Sequence, residues 1–165
     1  GDLERLSQIS KKTNQFNTSL IRLNNNNVLD YFNNEDKYII SISVRDKISD
    51  SGNVGGIFFH IINKSLVINS ICLSCRVLGR GLEDIMIFEA ISYLIKKNKL
   101  NIESVTFQFI KGPRNFPANE WLRRLDQSIE LKNEVSEVNI KYDRIKKLIL
   151  ENKNYNSCNI LYEKK

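Results

Sequence analysis

Arg76-Val77-Leu78-Gly79-Arg80-Gly81 carries the clearest chemistry in the chain. Two glycines one residue apart let the main chain turn sharply and approach a ligand closely, because no Cβ fills the space. The stretch lies between an apolar strand-like run, Leu66 to Leu73, and a helix-like run from Leu82 to about Lys97. A strand, a glycine turn and a helix start together present main-chain N–H groups and a positive dipole end to an anion. Val77 to Gly81 would supply the amides, and Arg76 and Arg80 the neutralising guanidiniums. The same residues also fit a plain βα turn that needs glycine only for its shape. A dinucleotide fingerprint would need glycine where Asp84 stands, and the P-loop spacing is absent.

Cys75 precedes Arg76 and stands near the helix start, a setting that favours a thiolate nucleophile. A thioester formed on it and handed to another thiol needs no strong base. The alternative is a small apolar residue at a strand end. Cys72 and Cys75 form C-x-x-C, but strand alternation points them to opposite faces. With only Cys158 and His60 besides, the set argues against a zinc site. His60, inside Ile57-Phe58-Phe59-His60-Ile61-Ile62, reads as a structural strand residue. The polar link Lys12-Thr13-Asn14-Gln15-Phe16-Asn17 either lines an acceptor pocket, through Asn14, Gln15 and Asn17, or is a capped helix end with turn chemistry.

The elements that would hold these residues follow from apolar periodicity. Leu3 to about Lys12 is an amphipathic helix, followed by the polar link and a strand through Leu20, Ile21 and Leu23. Asn24–Asn27 caps a helix through Val28, Leu29 and Phe32. Tyr38–Val44 is a strand, Ser51-Gly52-Asn53 a hairpin turn, Val54–Ile62 a strand, Asn63-Lys64 a turn, and Ser65–Leu73 a strand. The helix 82–97 is apolar on most of its circumference, as a crossover helix on a sheet should be. Ile102–Phe109 is a strand, and Pro117 opens a helix through Trp121, Leu122 and Leu125. Ile129–Leu131 and Asn159–Tyr162 are expected as strands, with a helix near Asp143–Leu150. Trp121 is the core anchor of its helix. Arg123-Arg124 is either its solvated face or a contact to an acidic partner.

The 165 residues fit one domain, and 41% hydrophobic with 27% charged residues is globular composition. No apolar run reaches membrane-spanning length. Three unevenly spaced cysteines argue for a reducing cytoplasm rather than a disulfide framework. A net charge of +6 suits nucleic acid, a polyphosphate ligand or an acidic protein equally. The basic residues are scattered without interleaved aromatics, which weighs against a nucleic-acid groove. A chain that opens on Gly1 without an initiator Met is expected to be one domain, 1–165, cut from a longer protein.

Arg76-x-x-Gly79-x-Gly81 after a strand resembles the coenzyme A pyrophosphate loop of GNAT-type acyltransferases, and the order of strands around helix 82–97 is similar to theirs. That implies a mixed α/β (α+β), mainly antiparallel sheet with helices on both faces, and coenzyme A or an acyl-CoA held along Leu73 and Arg76–Gly81. More narrowly, Gln8-x-x-x-Lys12-Thr13-Asn14-Gln15-Phe16-Asn17 and Leu73-Ser74-Cys75-Arg76-Val77-Leu78-Gly79-Arg80-Gly81-x-Glu83 resemble the C-terminal part of FkbH-like proteins. Those proteins join a HAD-type phosphatase domain to a GNAT-like domain and are associated with loading a glyceryl unit from bisphosphoglycerate onto an acyl carrier protein. The resemblance covers roughly residues 3–125. It implies an acyl carrier protein and an N-terminal HAD-type domain as partners; the aspartate motif of that phosphatase is nowhere in this chain.

A third matching segment is Gly112-Pro113-Arg114-Asn115-Phe116-Pro117-Ala118. The resemblance implies that Asn115 aligns the pantetheine arm; Arg114 beside it is a candidate substrate contact, and Cys75, by its own setting, the candidate acyl carrier. Leu122 stands where such enzymes place a tyrosine acid, and Asn69 and Ser70 where they often place a glutamate base. A leucine cannot be a general acid. Two readings therefore stand: an acyltransferase with altered chemistry, or an inactive module that docks a carrier protein.

Overall fold

The computed structural model describes residues 2–45 and 50–151. Helix α1 (Asp2–Lys12) leads into a two-residue strand, β1 (Phe16–Asn17), then helix α2 (Asn25–Asn33). Strands β2 (Lys37–Arg45), β3 (Asp50–Ile62) and β4 (Ser65–Leu73) form an antiparallel meander. Helix α3 (Glu83–Lys97) crosses over to β5 (Ser104–Phe109), which pairs parallel to β4. Helix α4 (Phe116–Leu125), strand β6 (Ser136–Lys141) and helix α5 (Tyr142–Glu151) follow. The sheet runs β2-β3-β4-β5-β6, and β1 pairs with β4.

Apolar side chains sort onto both sheet faces. Leu6, Ile9, Leu23, Val28, Ile39, Phe58 and Cys72 form a small cluster beneath α1 and α2. The larger cluster gathers Ile57, Phe59, Ile68 and Ile71 of the sheet with Ile87, Ile91 and Leu94 of α3. Trp121 anchors α4 there, with ring centroids 5.9, 5.8 and 5.7 Å from Phe16, Phe88 and Phe107. Its Nε1–H donates to Asp84 Oδ1 at 2.7 Å, which satisfies the one polar atom that burial would strand.

The expected α/β class and its mainly antiparallel sheet are observed. Three local expectations are not. Leu20, Ile21 and Leu23 form no strand: Leu20 adopts φ +57°, and the Ser7 and Ser10 hydroxyls of α1 take the carbonyls of Leu23 (2.9 Å) and Ile21 (3.1 Å). Asn24 does cap α2, through a reciprocal bond with Asn27. Ser51-Gly52-Asn53 is no hairpin turn; it lies inside β3, where Ser43 faces Asn53 and Arg45 faces Asp50. Gly52 at φ +60° supplies the left-handed residue of that bulge. Ile129–Leu131 is irregular, and the edge strand is Ser136–Lys141 instead. The expected strand Asn159–Tyr162 lies outside the described residues.

Candidate functional site

The glycine turn begins where β4 runs out. Ser74 N–H donates to Val54 O at 2.7 Å, the last tie to the meander. Cys75–Val77 then winds into a single 3-10 turn, closed by Val77 N–H on Ser74 O (3.1 Å) and Leu78 N–H on Cys75 O (3.3 Å). Gly79 and Gly81 follow at φ +73° and +69°. An L side chain would be strained there, so both glycines are required by the main chain. A Cβ on Gly79 would meet nothing within 4 Å, so the turn faces open space.

Helix α3 starts behind the turn with no side-chain cap on its first amides. Glu83 of its first turn folds back instead, and its Oε1 accepts from Gly79 N–H at 2.7 Å. A carboxylate oxygen thus already occupies an anion position on the turn. The amides of Val77 and Leu78 are committed to the turn itself, and Gly79 N–H is the amide of the turn seen holding an anionic oxygen.

Arg80 is exposed. Arg76 turns back toward β3: its Nη2 donates to Asn53 O at 3.4 Å, and Arg5 of α1 donates to the same oxygen at 3.2 Å. Two guanidiniums therefore converge beside the turn. Arg5 was not among the residues singled out from sequence, and its place on an amphipathic helix gave no signal.

The two described cysteines differ sharply. Cys75 is a free, exposed thiol on the 3-10 turn. Cys72 is fully buried under α1 and α2, and burial pushes its thiol up to about 11, with the Ser70 hydrogen bond and Arg22 opposing. Cys75 is the available nucleophile of the two.

Parallel pairing of β4 with β5 ends at Ile68 and Phe107. Asn69 is the extra residue of a bulge there, because Phe58 faces Ser70 while Phe59 faces Ile68. Beyond it the two strands part, and β1 fills the wedge. Phe16 faces Leu73 and Asn17 faces Cys72. Thr18 N–H donates to Ile71 O (3.1 Å), its Oγ1 accepts from Ile71 N–H (3.1 Å), and its carbonyl accepts from Ile110 N–H (2.9 Å).

Asn115 locks this arrangement. Its Nδ2 donates to Asn17 O (3.0 Å) and Ile110 O (2.8 Å), while its Oδ1 accepts from Gly112 N–H (2.8 Å) and Asn119 Nδ2 (3.0 Å). The side chain is 0% exposed, and both its donors and both its lone pairs are used. Leu73, Asn17 and Asn115, named separately in the sequence, thus meet in one wedge. Asn14 accepts from Arg22, whose other amino group binds the carbonyls of Ser10 and Thr13 at 2.6 Å. Gln15 and Arg114 have exposed side chains.

A polar row crosses the sheet beneath α2. Glu137 accepts from Gln108 Nε2 (2.8 Å), Gln108 Oε1 from Asn69 Nδ2 (2.9 Å), and Asn69 Oδ1 from Tyr31 OH (3.0 Å) and His60 Nδ1 (2.7 Å). Burial, helped by Asp30, pushes the Tyr31 phenol up to about 12. His60 is structural in this sense, but its partners were not foreseen. Among the described residues no group of three or more His, Cys, Asp or Glu could hold a metal ion, and no helix is long and apolar enough to cross a membrane.

No family model matches the sequence, and no curated protein does. Solved structures do match in shape. Arabidopsis thaliana NAA60, solved with a bisubstrate analogue, superposes with a TM-score of 0.59 at 15% identity, over 85% of this chain and 92% of that one. The spermidine N-acetyltransferase of Vibrio cholerae, solved with CoA and spermine, gives 0.57 at 12%, over 88% and 92%. Tetrahymena GCN5 gives 0.52 at 12%, over 84% and 85%. The chain therefore has the GNAT acetyltransferase fold.

Proposed function

We propose that this chain is an acyltransferase domain that binds a phosphopantetheine thiol, either that of coenzyme A or that of an acyl carrier protein. The observation that carries the reading is the turn at Gly79 and Gly81. Both residues are left-handed, the turn is open in front, and a carboxylate oxygen sits on Gly79 N–H at 2.7 Å. A phosphate oxygen would replace Glu83 there, with Arg80 beside it, and the fold shared with acetyltransferases supports the assignment. Cys75 is the acyl acceptor in this reading. Its thiolate attacks the acyl carbon of the donor and expels the donor's leaving group. The incoming carrier thiol then attacks the thioester, and its proton passes to the departing Cys75 sulfur. The finer assignment, a glyceryl or related acyl unit loaded beside a HAD-type domain, rests on the FkbH-like motifs.

One observation favours a second reading. Asn115, the residue assigned to the pantetheine arm, is wholly committed to the protein, and β1 fills the wedge it guards. A module that only docks a carrier protein would leave the wedge so. Calorimetry with acetyl-CoA and with holo and apo carrier protein separates the two. The transferase reading expects binding that Gly79→Trp abolishes and that Gly79→Asn, which tolerates the left-handed conformation, largely keeps. Carrier binding indifferent to Gly79→Trp and to the phosphopantetheine arm would favour docking. Intact-protein mass spectrometry with an acyl donor should show an adduct that Cys75→Ala removes; no adduct with any donor ends the thioester proposal.

A further inference from the structure

The edge of β4 from Asn69 to Leu73 is where an extended ligand arm leaving the glycine turn would bind. It is a strand edge abandoned by β5, and main-chain amides there would pair with the amides of a phosphopantetheine arm as with an added strand. In this chain the edge already has an occupant. Phe16 and Asn17 pair with Leu73 and Cys72, Thr18 holds both the N–H and the carbonyl of Ile71, and its own carbonyl holds Ile110. Ser70 Oγ donates to Asn17 Oδ1 at 3.2 Å, and Asn115 fixes Asn17 from the other side. Phe16, Asn17 and Thr18 are each 1% exposed or less. Removing the segment would take acceptors from the buried Ile71 N–H, from the Ile110 N–H and from the amide of Asn115, and would uncover Phe16 and Trp121.

We infer that Phe16–Thr18 is a resident strand that excludes a thiol arm from the β4–β5 wedge. A phosphopantetheine ligand is then held by its phosphate end at the turn and carries its thiol across the surface near Cys75. The choice of ligand is thereby set toward thiols delivered from outside, as a carrier protein delivers one, rather than threaded through the sheet. The ligand part rests on the reading of the turn as a phosphate site; the exclusion rests on the wedge contacts alone.

Two measurements on the intact chain separate those parts. Amide hydrogen exchange at Thr18, Ile71 and Ile110 is followed in the free protein and with saturating coenzyme A. Affinities for coenzyme A and for 3′-phospho-ADP, which lacks the arm, are compared by calorimetry. The expected result is exchange as slow as that of the α3 core, unchanged by coenzyme A, with the two affinities within about twofold. Coenzyme A binding tenfold or more tighter than 3′-phospho-ADP, with the three amides losing protection, would overturn the inference. If neither ligand binds, the phosphate site fails, and exchange in the free protein still decides the strand. Slow exchange upholds it; fast local exchange refutes it.

Discussion

Asn115 uses all four of its hydrogen-bonding positions, on Asn17 O, Ile110 O, Gly112 N–H and Asn119 Nδ2, from a side chain that is itself wholly buried. Truncating it would remove the partner of two carbonyls, the Gly112 N–H and the Asn119 amide. Asn115→Ala should therefore lower unfolding free energy by about 2 to 4 kcal/mol in a denaturant titration. An Asn whose only task was to touch a ligand would cost almost nothing. His60 allows an equally direct test. Glu137 can only accept, which sets the direction of every amide in the row and requires His60 to donate from Nδ1. The sequence holds one histidine, so a ring-nitrogen NMR spectrum reports it without assignment. The neutral ring should be the Nδ1–H tautomer, and Gln108→Leu should shift it toward Nε2–H. The strand that carries His60 and the helix start beside Asn115 were legible in the sequence. Their partners were not, because Asn17 and Asn115 lie far apart in the chain and nothing local encodes their meeting.

Strands with a strong apolar pattern were legible, and so was the long helix after the turn. Strand β6 was not, since Ser136-Glu137-Val138-Asn139-Ile140-Lys141 alternates only weakly and buries Ile140 alone. An edge strand needs only half a face of apolar residues, and its pairing with β5 does the rest. Strand β1 is two residues long, too short for any period, and is defined wholly by the gap it enters. The bulge at Gly52 shows the opposite error, in which a turn-forming residue marked an irregularity within a strand. Close approach within the meander sets a test at this scale. A Cβ on Gly55 would meet Leu73 Cδ2 at 2.6 Å and Cys72 O at 3.0 Å. Gly55→Ala should cost about 1 to 3 kcal/mol and loosen the end of β4, seen as faster amide exchange at Leu73 and Ser74.

Across the molecule, one sheet separates a small cluster under α1 and α2 from a larger one under α3, and Cys72 and Tyr31 belong to the smaller side. Both ionise late when folded: Cys72 near 11 against 9.0, and Tyr31 near 12 against 10.0. Above pH 9 the unfolded chain therefore binds fewer protons than the folded one, and stability falls as pH rises from 9 toward 12. It is intact below pH 9. Thermal melts across that range should show the decline, with Cys72→Ala flattening its lower part and Tyr31→Phe its upper part. Iodoacetamide at pH 8 should modify Cys75 and spare Cys72. The wedge also constrains the order in which the molecule can be made. Phe16 leaves the ribosome long before its seat, which is built from Leu73 and Trp121. Until α4 has emerged, this apolar side chain lacks half of its seat, so a nascent chain stalled before Phe109 must leave Phe16 unseated and its segment open to protease, although α1 and α2 already have Ile39, Phe58 and Cys72 to pack on.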